Sequence, residues 1–504
     1  VTPVRPIENP YAALWRSAAT EVLGTGDPLL AAVDEHLTAF QAGIAVEPVD
    51  PGPPEDDPQL AAYLSELHHR LANARATGDR DLAAELTRER DRFRLGNPCW
   101  EQMAVAYLRY YGRYPLHAPG KPAYRSWRDT GDPDFGVVDW TLPAAARVAV
   151  VGDVGTGTDV AAAVLLAAMS LRPDAILHLG DVYYSGTEHE FAHRFTGLLA
   201  RVWRTAGARV PVFTVPGNHE YFTGAHAYFA CLDSGRLADH PAQRQRASFF
   251  SLRSADAGWQ FLGLDTGFHG HRLSLPAPML AAALRTLRAE QPRVPAGATV
   301  DSLVPAAPAE PVRLRDDERG WHERQLRGFP GRTILLSHHQ LYSATAACGV
   351  AQRTVPDPAG GTTPDPRDPN RAWVNTALWR QLGAHFGDRV AAWLWGHEHN
   401  LNIFADGYRP AGWPATDPAL RTLPKGRCLG HGAIPVQEKE DPYATTYPVP
   451  LAGDQLRLGL TDGWYNRGFG LLELAGAGRP LTASYFQVAG ADPAPLLIHT
   501  ETIE

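Results

Sequence analysis

The sequence predicts an α/β sheet protein preceded by a helical region. Three observations carry that expectation. From residue 146 onward, short apolar runs alternate with helix-patterned segments, beginning with "ARVAVVGDVGTGTDVAAAVLL" (146–166). Residues 10 to 112 instead keep apolar residues at three-to-four spacing through several consecutive segments. Finally, five of the apolar runs stop at a polar cluster, as happens when strands of an α/β sheet deliver side chains to one edge.

The helical segments come first. "PYAALWRSAATEVL", "DPLLAAVDEHLTAF", "DPQLAAYLSELHHRLANARATG", "DRDLAAELTRERDRFRLG" and "NPCWEQMAVAYLRYYG" are helical in period, and Asp or Asn opens several of them. The third and fourth, joined at "ATGDRD", suit an antiparallel hairpin with charged outer faces, read as a solvated cover rather than a dedicated partner-binding module. The sheet-forming part follows. Three stretches within it read as inserted loops: 289–312 and 353–371, rich in Pro, Ala and Asp, and the turn-rich, aromatic stretch 406–450. "FGLLELAG" and "LTASYFQVAG" suit a closing hairpin.

Composition narrows the function. The chain has 504 residues, 44% hydrophobic and 20% charged, an ordinary globular balance that can bury a sizeable core. Its net charge of -8, without any Lys/Arg-rich block, argues against a nucleic-acid-binding surface or a membrane-surface role. Cys99, Cys231, Cys348 and Cys428 are scattered and form no C-x-x-C pair, so they read as core thiols. No apolar run approaches the roughly 20 residues of a membrane span, and "VTPVRPIENPY" lacks the features of a secretory signal. A cytoplasmic location is the resulting expectation, although an initial Val leaves room for a leader already removed.

The first glycine turn invites a nucleotide-binding reading that its spacing does not support. Gly152, Gly155 and Gly157 give G-x-x-G-x-G, neither the dinucleotide fingerprint nor a P-loop. Asp153 in that turn would repel a pyrophosphate and suit a cation. The other run-ending clusters are Asp181 after "AILHLGDVYY", Asn218 and His219 in "VFTVPGNHE", His338 and His339 in "TILLSHH", and His397 and His399 in "VAAWLWGHEHN". Together they offer hard oxygen and borderline nitrogen donors with no thiolate, a metal-ligating set. The glycines before Asp153, Asp181, Asn218 and His397 are expected to let the backbone turn sharply. On an extended segment, His397 and His399 point to one side and Glu398 to the other.

Five motifs in order, "GDVG" (152–155), "GDVYY" (180–184), "GNHE" (217–220), "LLSH" (335–338) and "GHEH" (396–399), resemble the calcineurin-like metallophosphoesterase superfamily and, within it, the purple acid phosphatases. The resemblance covers roughly residues 146 to 487. It implies a four-layer α/β/β/α sandwich for the catalytic domain, placed at 141–504, while the helical accessory region at 1–140 lies outside the resemblance. It further implies one metal held by Asp153, Asp181, Tyr184 and His399 and a second held by Asp181, Asn218, His338 and His397. Gly155 stands where much of the superfamily has a histidine ligand, and Tyr184 matches the purple acid phosphatase tyrosine. A phenolate there favours Fe(III), paired with Zn(II), Mn(II) or Fe(II).

The implied activity is hydrolysis of a small-molecule phosphate monoester by in-line attack of a metal-activated hydroxide. Asn218, His219 and His339 are the expected substrate contacts, with His219 as the catalytic residue that assists the leaving oxygen. Leu335 departs from the family's Val, and the further histidine that many purple acid phosphatases carry is missing from "LYSATAACGV". His339 reads equally as a phosphate contact or as a packed core histidine. Tyr184 beside Tyr183 could instead be simple aromatic packing. His178 is read as a core residue able to orient a ligand, while His269 and His271 are weaker pocket candidates. Two rival readings accompany the monoesterase: a phosphodiesterase acting on a nucleotide or lipid headgroup, and a non-catalytic metal-containing protein whose helical region, of unknown partner, does the binding.

Overall fold

The computed structural model describes residues 122–271, 311–349 and 372–504 with short gaps, and parts of 105–111, 283–288 and 354–364. The first four predicted helical segments and most of the expected loops at 289–312 and 353–371 lie outside the described residues. Of the fifth segment, residues 105–108 and 110–111 are helical.

Among the described residues, thirteen strands build the two large sheets. In chain order they are β1 (Val137–Leu142), β2 (Arg147–Val151), β3 (Ala175–His178), β4 (Val212–Thr214), β5 (Phe250–Ser254), β6 (Trp259–Leu264), β7 (Arg332–Ser337), β8 (Val390–Trp395), β9 (Leu401–Ile403), β10 (Lys425–Leu429), β11 (Arg467–Glu473), β12 (Leu481–Val488) and β13 (Leu496–Ile503). One sheet runs β1-β5-β6-β7-β8-β10-β9 and the other β13-β12-β11-β2-β3-β4. The centres of both are parallel, β6-β7-β8-β10 and β2-β3-β4, so each presents several strand ends along the same edge. The closing hairpin is present as antiparallel β11 and β12, and β11 lies against β2.

Alternation along the strands separates three hydrophobic layers. Val148 and Val150 of β2, with Ile334 and Leu336 of β7, fill a core shared by both sheets. Their neighbours Ala149 and Val151 face the helices α1 (Asp159–Ser170), α2 (Gly197–Ala206) and α4 (His226–Asp233). Leu335, Trp393 and Trp395 face α5 (Asp316–Gly328) and α6 (Thr376–Leu382). A strand with a period of two can bury both faces only between two other layers, which gives the order α/β/β/α. The short α3 (Asn218–Tyr221) belongs to the site described below.

Two elements depart from the sequence expectations. The expected boundary at 140/141 falls inside β1, a strand of the seven-stranded sheet. The stretch 406–450 is not wholly a loop, because "KGRCL" forms β10 between β8 and β9. Its charges are matched across the sandwich: Arg427 Nε and Nη2 donate to Glu501 of β13 at 2.7 Å each, and Lys425 Nζ donates to the same carboxylate at 2.8 Å.

Candidate metal centre

Five strands end at the same place, three from one sheet and two from the other. Asp153 follows β2, Asp181 follows β3 and Asn218 and His219 follow β4, while His338 and His339 follow β7 and His397 and His399 follow β8. Asp153, Asp181 and His397 have φ of 57°, 73° and 69°, the left-handed region that ordinary side chains avoid. Of the glycines before the donors only Gly180 has a positive φ, 98°, so the turn falls on the donor residue itself at Asp153 and His397 and on both Gly180 and Asp181 at the second motif. Close approach is what requires glycine at Gly155 and Gly217. A Cβ on Gly155 would run into the Asp181 carbonyl oxygen, and one on Gly217 into Asp181 Oδ1.

The donors form two groups. In the first, the Tyr183 hydroxyl donates to Asp153 Oδ1 at 2.7 Å and lies 3.1 Å from His399 Nε2. In the second, His338 Nε2 lies 3.0 Å from both Asn218 Oδ1 and His397 Nδ1. Asp181 adjoins the second group through Oδ2, 3.2 Å from His338 Nε2, while its Oδ1 accepts from the His219 backbone at 3.2 Å. His338 Nδ1 faces the Leu179 carbonyl at 2.9 Å. That contact occupies Nδ1 and turns Nε2 toward three acceptors, Asn218 Oδ1, His397 Nδ1 and Asp181 Oδ2; against the lowering effect of burial, the Asp181 carboxylate pushes His338 up to about 9. Acceptors converging on acceptors fit a cation between them, and the donor atoms of Asp153, Asp181 and His338, like those of His338, His339 and His397, lie within 4.8 Å of one another.

Buried carboxylates hold these loops in register. Glu220 accepts from Gly217 N at 2.7 Å, Val182 N at 2.8 Å and Asp181 N at 3.3 Å, tying the Asp181 loop to the Asn218 loop. Glu398 points away from its histidine neighbours, accepting from Gln340 Nε2, Ser343 Oγ and Thr345 Oγ1. Glu190 does the same for the turn after Tyr184, accepting from the backbone of Tyr184, Ser185 and Thr187. None of the three is a donor to the cluster, and Glu190 closes a capping box with Thr187.

Charge is distributed to match. Burial alone would raise Asp181, but His338 and His219 hold it well below the usual carboxylate range. Burial, with Asp181 beside it, pushes Asp153 up to about 7 against the lowering effect of His338. Burial also holds His397 and His399 below the ordinary imidazole range, which keeps their nitrogen lone pairs available.

The predicted residues are placed as follows. Asp153, Asp181, Asn218, His338, His397 and His399 come together. The Tyr184 carbonyl oxygen lies 2.6 Å from His219 Nδ1, and its ring lies 5.0 Å from the Arg194 guanidinium. The hydroxyl that reaches Asp153 and His399 belongs to Tyr183. The reason is local: Tyr183 N is bound to Gly155 O, beside the Asp153 turn, whereas Tyr184 N is bound to Glu190 in the following turn.

His219 Nε2 lies 3.7 Å from Asp181 Oδ2, beside the cluster. His339 is buried with its ring 4.7 Å from that of His397, and both its backbone N and its Nδ1 lie 3.1 Å from Thr266 Oγ1. His178 packs on Phe195 with Nδ1 2.9 Å from Thr214 Oγ1, so it holds β3 to β4. His269 lines a separate polar cavity of about 580 Å³ with Tyr124, Arg128, Arg313 and Arg315, and His271 stacks on Tyr111.

Fold and donor set together define a class: a two-sheet α/β protein with an oxygen- and nitrogen-donor centre at its strand ends. The description "calcineurin-like phosphoesterase" matches residues 146–401, just over half of the chain, and the chain belongs to that family. The family implies two divalent metal ions, and the described residues include candidate ligand groups for them. No curated protein matches the chain by sequence.

Among solved structures, a purple acid phosphatase, PPD1 from yellow lupin (Lupinus luteus) seeds, is similar at 14% identity with a TM-score of 0.38, over 72% of this chain and 55% of that one. This chain therefore spans about half the length of that structure. GAP50, the anchor in the inner membrane complex of Plasmodium, is similar at 12% identity with a TM-score of 0.39, over 71% of this chain and 88% of that one. Among the described residues, no helix is long and apolar enough to cross a membrane.

Proposed function

We propose that the chain is a dinuclear-metal hydrolase acting on small-molecule phosphate monoesters. The observation that carries this reading is the division of the donors into two groups with Asp181 beside them. Asp153, Tyr183 and His399 are joined at the Tyr183 hydroxyl, and Asn218, His338 and His397 at His338 Nε2. In this reading the first group with Asp181 holds Fe(III), for which a phenol oxygen is a suitable donor, and the second with Asp181 holds Zn(II), Mn(II) or Fe(II). When bound, the metal pair supplies Lewis acidity toward the phosphoryl oxygens and toward water.

The chain's own residues do the rest. The Tyr184 carbonyl fixes His219 through Nδ1 and leaves Nε2 on the Asp181 side, where the imidazolium form, disfavoured by burial and favoured by the Asp181 carboxylate, would hold a proton for the departing oxygen. The Asn218 amide and the His339 ring border the same space and orient the phosphoryl group. Glu220 and Glu398 keep the loops from relaxing when substrate arrives.

The test is the initial rate of metal-replete protein on an aryl phosphate monoester and on the matching diester, with Asn218→Ala as the blank. Faster monoester turnover that the variant loses supports the reading. Faster diester turnover would replace it with a diesterase acting on nucleotides or lipid headgroups, and no turnover of either would replace it with a non-catalytic role.

A further inference from the structure

We infer that His189 and His193 form a separate binding site for a labile Zn(II)-class ion, on the helical segment that holds the Tyr183–Tyr184 turn. The pair sits in "HEFAH" (189–193), the H-E-x-x-H spacing that puts two imidazoles one helical turn apart on the same side. The segment is helical in the structure: Glu188–Glu190 is α-helical and Phe191–Thr196 continues as a π-helical turn. The two rings lie side by side, with centroids 4.3 Å apart and planes tilted by 43°. Both histidines are exposed, as is Ala192 between them, whereas Glu190, Phe191, Arg194 and Phe195 are buried. The helix thus turns the pair outward and packs its other side on the protein.

Among the described residues, the histidines that meet carboxylates are His219, His322, His338 and His399, and His189 and His193 do not. Partial burial, followed by the His193 ring beside it, holds His189 below the ordinary imidazole range, which keeps a nitrogen lone pair available at neutral pH. The glutamate of the spacing has another task, so a peptidase-type centre is excluded. Glu190 is 3% exposed, and its oxygens accept from Tyr184 N, Ser185 N, Thr187 N and Thr187 Oγ1. It can neither ligate an ion on the outer face nor serve there as a base.

What this leaves is a two-imidazole chelate completed by water. Imidazole nitrogens suit Zn(II) and Cu(II), whereas Mg(II) and Ca(II) take oxygen ligands. Two protein ligands, against three or four in tightly held zinc sites, make the ion labile. The pair also brackets the residues that hold the tyrosine turn. Glu190 lies between the two histidines, and Arg194, next to His193, donates from Nη1 to the Tyr183 carbonyl at 3.1 Å. An ion joining the two rings would close this turn of helix and brace the backbone that presents Tyr183. The inference does not depend on which phosphoester is cleaved.

Zn(II) is the probe, on full-length protein whose candidate centre is already filled. In equilibrium dialysis, wild type should bind one more equivalent than His189→Gln/His193→Gln, and desalting should remove it. Crystals of wild type soaked in Zn(II) should show an anomalous peak about 2.0–2.1 Å from one nitrogen of each ring. Added Zn(II) should also slow hydrogen exchange at the amides of 190–197 in wild type and leave the variant unchanged. Equal uptake by the two proteins, anomalous peaks only elsewhere, or unchanged exchange in wild type would each overturn the inference. Both substituted side chains are exposed, and the wild-type map decides the matter even if the variant fails to fold.

Discussion

Glu220→Gln exchanges one carboxyl oxygen for an amide nitrogen without changing size and isolates what the loop staple contributes. Both carboxylate oxygens accept: Oε1 serves Val182 N at 2.8 Å, and Oε2 serves Gly217 N at 2.7 Å and Asp181 N at 3.3 Å. A glutamine keeps one acceptor oxygen and turns an NH₂ group toward the other side, so one or two buried backbone donors lose their partner. Each such loss costs about 1–3 kcal/mol, and the long contact to Asp181 N belongs at the low end. The expected destabilisation is therefore about 1–4 kcal/mol.

The same change frees the loops that carry Asp181 and Asn218, and disturbing a residue that orients ligands typically weakens metal binding about 10- to 100-fold. Urea unfolding of the metal-loaded variant, together with a competitive-chelator titration, reads both effects. Stability within about 0.5 kcal/mol of wild type together with unchanged metal affinity would refute the staple argument.

Three further predictions follow from particular contacts. Iron-loaded protein should show a visible phenolate-to-metal charge-transfer band that Tyr183→Phe abolishes and Tyr184→Phe retains; the reverse pattern would return the ligand role to Tyr184. Burial alone would raise Glu501, but Arg427 and Lys425 bring it down to about 2, so its contribution is full above the unfolded value of about 4.3 and is lost as pH falls toward 2. The stability gap between wild type and Glu501→Gln should then shrink by up to about 3 kcal/mol between pH 6 and pH 2, measured by urea unfolding.

Burial pushes Glu318 up to about 8 and, with Glu318 beside it, Asp265 up to about 7. The folded state therefore binds more protons than the unfolded chain from about pH 4.5 to 8, and this pair lowers stability as pH rises through that window. Glu318→Gln should flatten the decline in Tm across it, and an unchanged slope would count against the pair.

The sequence was most informative where strand chemistry and polar clusters coincide. "VAVVGD", "AILHLGD" and "TILLSHH" have uninterrupted apolar runs because both strand faces are buried, and each run stops where the sheet edge meets the site. Strand β10 was illegible because "KGRCL" carries two cations, and only the distant Glu501 and Asp406 make them compatible with a buried strand. The choice between Tyr183 and Tyr184 was also beyond spacing. It depends on which backbone N–H binds Gly155 and which binds Glu190, contacts made after the loops have met. Glu220 could be read as part of a motif but not as a staple, since its three partners lie on two different loops.

The most direct test of the central claim, that the strand ends of both sheets form one two-metal site, is metal stoichiometry. Metal-replete wild type freed of loosely bound ions should retain two equivalents per chain, whereas Asp181→Ala, which removes the carboxylate assigned to both metals, should lose both. One equivalent in wild type, or two retained by Asp181→Ala, would contradict it.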